Sequence, residues 1–127
     1  MAILSLFVTS CKKDDDSPSI DPSVVPTGTW KVSKFTDSGK DETLEFSGYT
    51  FSFSSNDSTS ASKSGVVKSG TWSVSSTKFN LNYGVKSDTN KPLGELTDDW
   101  QIISINNNEI RLKDDNDDSG ELLTFSR

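Results

Sequence analysis

The residues of this 127-residue chain that could do chemistry are carboxylates, hydroxyls, lysines and a single thiol. Histidine is absent. That removes the usual acid–base group near neutral pH, the usual partner of a nucleophilic serine and the commonest zinc ligand. Cys11 is the sole cysteine, so neither an intramolecular disulfide nor an all-cysteine metal site can form. The densest polar cluster is DDNDDSGE, residues 114–121. Asp115, Asp117 and Ser119 offer oxygens at alternate positions, and Gly120 follows where a calcium loop turns sharply. Such a loop closes with a bidentate Glu about six residues beyond its glycine, where this chain has Ser126. The segment also joins two strand patterns rather than two helices. An acidic hairpin turn is therefore the first reading, and a weak calcium site at Asp115, Asp117 and Ser119 the alternative. Asp98 and Asp99 precede Trp100, a set that suits sugar hydroxyls and a sugar ring face, and paired carboxylates serve glycosidases. The simpler reading is two acids at a strand start followed by a core indole. SGKD and KSGT lack the spacing of a phosphate cradle, and lysines on polar strand faces provide no desolvated base for a serine. No enzymatic activity and no cofactor are expected.

The elements that would position these residues follow from composition and period. One domain fits the length. Net charge is −6, which disfavours nucleic acid as a partner. Apolar residues make up 31% and aromatics 9%, so the core must draw heavily on Trp, Phe and Tyr placed on one face of each element. From Thr27 onward the pattern has period two: Phe51 and Phe53, Trp72 and Val74, Phe79, Leu81 and Tyr83, Ile110 and Leu112 alternate with polar residues. Strands are expected at 29–36, 43–54 with a break at Gly48, 63–74, 77–83, 98–105, 109–113 and 121–126. Residues 84–97 form the one long connection, with a helical turn expected near 92–96. GTWKVSK at 28–34 and GTWSVSS at 70–76 echo each other, as equivalent strand starts would. Short strands with tight turns argue for an all-β antiparallel barrel or sandwich.

Two resemblances add to this reading. The run AILSLFV is too short to span a bilayer but suits the apolar core of a secretory signal. With it, Phe7-Val8-Thr9-Ser10-Cys11 resembles the lipobox of bacterial lipoproteins. The resemblance implies that residues 1–10 are removed, that Cys11 is acylated, and that 11–26 form a flexible tether from the membrane. KKDDDS after Cys11 looks like a tag for display on the outer face of the outer membrane, with a periplasm-facing anchor as the alternative.

The second resemblance covers 27–127. GTWKVSKF, FSF, the second GTW strand, KFNLNY, WQIISINNNEIRL and LLTFSR together resemble the lipocalin-like domain of small bacterial lipoproteins. This implies an up-and-down β-barrel of about eight strands. It also implies that Trp30 closes one end under an arginine, with Arg127 the candidate and Arg111 the alternative. A small apolar or amphipathic ligand would be lined by Phe51, Phe53, Trp72, Phe79, Leu81, Tyr83, Trp100 and Ile102. The other expectation is a filled, monomeric barrel that contacts cell-surface glycans or proteins through loops 84–97 and 54–64.

Overall fold

The computed structural model describes residues 19–116 and 120–127. Nine strands make one antiparallel sheet: β1 (Lys31–Asp37), β2 (Lys40–Asp41), β3 (Thr50–Phe53), β4 (Ser58–Lys63), β5 (Val66–Ser75), β6 (Lys78–Asn82), β7 (Asp98–Ile105), β8 (Glu109–Lys113) and β9 (Leu122–Ser126). Their order is β2-β1-β9-β8-β7-β6-β5-β4-β3. The sheet closes on itself where Trp30 and Phe51 exchange two backbone hydrogen bonds of 2.8 Å each. The result is an eight-stranded up-and-down barrel, with β2 a short hairpin arm on β1. Closure removes most of the edge that an open sheet would expose.

The alternation read from the sequence is what faces the strands. In β3, β6 and β8 every second residue is buried, and these are Phe51, Phe53, Phe79, Leu81, Ile110 and Leu112. Three expected boundaries differ. Residues 43–54 are not one strand: Thr43–Phe46 is a 3-10 turn. Asp41 precedes it and accepts from the Thr43 amide and hydroxyl at 3.0 and 2.6 Å. Residues 54–64 are not a loop. They hold β4, whose inward residues Thr59 and Ala61 are too small or too polar to betray a strand. Thr59 is buried at no polar cost, because its hydroxyl meets Tyr83 Oη at 2.7 Å and Ser52 O at 2.8 Å. The long strand at 63–74 is interrupted by a tight turn, since Ser64 and Gly65 both have positive φ, 53° and 82°. Two such residues in succession match the twist of a two-residue hairpin.

Strand direction sorts the connections into two ends. The first described residues, Trp30, Arg127 and the turns at 54–57, 76–77 and 106–108 share one end. The 38–49 segment, the 64–65 turn, loop 84–97 and the 114–121 connection share the other. Part of the expected tether belongs to the barrel. Ile20 bridges to Ile105, Pro22–Val24 forms a 3-10 turn, and Val25 is fully buried. Among the described residues Val25 is the first fully buried apolar side chain, upstream of the Thr27 boundary. Cys11 and the rest of the 11–18 stretch lie outside the described residues, as do Asp117 and Ser119.

Candidate functional site

The first end is shut. Trp30 is fully buried and its indole N–H donates to Val25 O at 3.0 Å. Arg127 lies over the ring, with Cζ 4.0 Å from the centroid. Its guanidinium also donates to Asn107 O at 2.7 Å, to Thr27 O, and to Thr27 Oγ1 at 3.0 Å. Arg111 sits on the exposed face of β8, away from Trp30.

The middle of the barrel is packed. Phe51, Phe53, Trp72, Phe79, Leu81, Tyr83, Trp100 and Ile102 all belong to one buried cluster. Phe53 makes edge contacts with Trp72, Phe79 and Phe125 at 5.5–5.7 Å between centroids. Trp72 stacks on Phe79 at 5.7 Å. These side chains fill space against one another, and burial pushes the Tyr83 phenol up from its ordinary pKa.

The second end is open. Lys63 of β4 and Val66 and Lys68 of β5 face inward there and are not covered: the register pairs Phe51 with Ala61, Ala61 with Lys68, and Lys63 with Val66. Cross-strand partners share a face, so Lys68 and Val66 continue the inner wall that Trp72 begins. They stand exposed where a core residue would be buried. The resulting recess holds about 300 Å³ and is lined by Tyr49, Ala61, Lys63, Ser64, Val66, Lys68 and Leu93. Ala61 is fully buried at its floor, and Leu93 reaches it from loop 84–97.

The lipocalin-like domain family matches residues 27–112. The chain belongs to this family. Two solved structures are similar to it: a DUF4847 family protein from Bacteroides vulgatus, at 15% identity and TM-score 0.58, covering 82% of this chain and 94% of that one; and a protein from Burkholderia xenovorans, at 19% identity and TM-score 0.50, covering 92% and 98%. At these identities the likeness is one of fold. No curated protein matches the sequence.

The open end of the lipocalin-like domain also gathers acids that no sequence spacing announces. Carboxylate oxygens of Asp37, Glu42 and Glu95 lie within 4.8 Å of one another, as do those of Asp98, Asp114 and Glu121. Each trio draws on two or three separated segments. Burial, and then the carboxyls of Glu45 and Glu42, push Glu95 up to about 7. Burial, with Asp37 and Asp114 nearby, pushes Glu121 up to about 7. Asp98 is also raised, chiefly by burial. These trios are the described groups with cation-ligand geometry.

One sequence expectation loses its geometry here, and the calcium alternative rests on Asp117 and Ser119, outside the described residues. Trp100 is fully buried and its indole donates to Leu96 O at 2.9 Å, so it offers no ring face beside Asp98 and Asp99. Those two acids instead line a shallow cleft of about 490 Å³ with Asp57, Trp72, Asn80, Leu81 and Asn82. In the 114–121 connection Asp115 pairs with Lys78 at 2.8 Å. The Asp114 amide donates to Glu121 O at 3.0 Å, as a hairpin base does. Ser126, the closing position of a calcium loop, is at the opposite end of β9, where its hydroxyl meets that of Ser33 at 2.6 Å.

Proposed function

We propose that this lipocalin-like domain is an extracytoplasmic binding module that takes a small apolar or amphipathic ligand at the open end of its barrel, and that an acylated Cys11 holds it on the membrane. The observation that carries the binding reading is the uncovered inner wall at the mouth. One end is sealed by Trp30 and Arg127, the middle is filled, and the remaining apolar recess of about 300 Å³ is at the lower limit of small-molecule sites. The ligand of this reading is short, and its tail rests on Tyr49, Ala61 and Leu93 rather than among Phe51, Phe53, Phe79 and Trp100. Support for the anchor is the lipobox-like sequence around Cys11. The described chain begins at the sealed end, where Ile20 bridges to Ile105.

The test is titration of the purified domain with an environment-sensitive apolar dye. Saturable enhancement is expected, weakened about tenfold by Ala61→Phe, which fills the floor, and by Val66→Glu on the exposed rim. In cells, incorporation of a labelled fatty acid should vanish with Cys11→Ser. Absence of a saturable site would favour the second reading, which the packed interior supports: a filled barrel that contacts glycans or proteins through its open-end loops.

A further inference from the structure

We infer that the ligand of the open recess is an amphipathic anion, with a carboxylate or phosphate head held between Lys63 and Lys68 and a short apolar tail on Tyr49, Ala61 and Leu93. The inference rests on the binding reading above and adds the chemical class of the ligand.

The chain is acidic, with net charge −6, yet this recess has two lysines and no carboxylate in its lining. The other four clefts described on the surface all contain at least one acid: Asp57, Asp98 and Asp99 in one, Asp37, Asp88, Glu95 and Glu121 in the next, Asp114 and Glu121 in a third, and Glu109 in the last. Charge is therefore segregated at the mouth.

Neither lysine forms an ion pair among the described residues, whereas Lys78, Lys86 and Lys91 pair with Asp115, Asp98 and Asp88. Lys63 is also held in place. Its ammonium stands 5.3 Å over the Tyr49 ring. Its stem lies across Gly48, where an added Cβ would meet Lys63 Cε at 3.3 Å. Gly48 has φ +87°, so a glycine both permits the turn and leaves room for that stem. Lys68 pairs directly with Ala61 in the register, which sets its side chain on the inner wall above the recess floor.

Two ammonium groups above an apolar floor fit a head and tail of matching kinds. An apolar tail without an anion would leave Lys63 with the Tyr49 ring alone and give Lys68 no counter-charge. A cationic head would meet like charge. Hydrogen bonds between an ammonium and an ionised oxygen are about twice as strong as neutral ones.

The test compares three eight-carbon probes of equal tail, octanoate, octanol and octylammonium, by competition against the apolar dye at low and high salt. Octanoate is expected to bind about tenfold tighter than the other two, with the advantage shrinking as salt screens it. Lys63→Gln with Lys68→Gln should abolish the preference, each probe being read against the dye affinity of that variant, while the circular dichroism spectrum persists; Lys31→Gln, at the sealed end, should leave the preference intact. Equal affinity for all three probes, or an octanoate preference that survives the double substitution, overturns the anion inference but leaves the binding reading standing. Failure of the dye and all three probes to bind overturns both.

Discussion

Arg127 shows how much one side chain can hold at the sealed end. Its planar guanidinium covers the Trp30 ring at 4.0 Å while donating to Asn107 O and to Thr27. It thereby ties the end of β9 to Thr27 and to the β7–β8 turn. A flat cation over an indole contributes about 0.5–2 kcal/mol. Arg127→Ala is expected to lower unfolding free energy by about 1–3 kcal/mol in urea denaturation, combining the ring contact with the lost hydrogen bonds. Arg127→Lys should recover little of this, since an ammonium cannot stack and fork together. A lysine variant as stable as the parent would show that charge alone matters there.

Among the elements, loop 84–97 is the one whose order depends on side chains rather than on a ladder. The Asn90 amide donates to Tyr83 O at 3.1 Å and Val85 O at 2.9 Å. Thr97 Oγ1 donates to Gly84 O at 2.7 Å and accepts from the Tyr83 amide at 2.9 Å. Leu93 and Leu96 then anchor the 3-10 turn in the core. Asn90→Ala removes two donors at once. Amide hydrogen exchange is expected to speed up across 84–97 while β7 to β9 keep their protection. Unchanged exchange in the loop would mean that Leu93 and Leu96 suffice to hold it. This element also marks what the sequence could and could not reveal. β7 and β8 were legible because Trp100, Ile102, Ile110 and Leu112 alternate cleanly with polar residues. A helical turn near 92–96 was legible from Pro92 and the flanking leucines. β4 was not, because its inward positions are Thr59 and Ala61, and a small residue facing inward carries no period-two signal. The recess inherits that silence. Its floor is Ala61, and its lysines follow the wall only once the register with β5 is known. The aromatic residues expected to line a ligand sit in the buried cluster, and alternation tells only which face they take, not how the facing strands share the space.

Across the whole molecule, charge and architecture meet at the open end, and the consequence is a stability that should fall as pH rises through neutrality. Glu95 and Glu121 are each raised from an ordinary 4.5 to about 7, in both cases mainly by burial. Between those values the folded chain keeps protons that the unfolded chain has released. The folded state is thus favoured fully below about 4.5, and that advantage is lost as pH climbs through about 7. Asp41 acts in the opposite sense. Hydrogen bonds from the Thr43 hydroxyl and amide lower its pKa from 3.8, so its contribution is present above that value and disappears in stronger acid. The two effects together place greatest stability in mildly acidic solution. The melting temperature is expected to be higher near about pH 5 than near about pH 8. General repulsion in a chain of net charge −6 pushes the same way, but salt separates the causes. Repulsion between exposed charges is screened, whereas the penalty of ionising Glu121, which retains 9% of its exposure, is not. Glu95→Gln and Glu121→Gln should therefore raise the melting temperature near about pH 8 and flatten the pH dependence even in high salt. A pH difference that vanishes in salt would assign the effect to overall charge rather than to these two carboxyls.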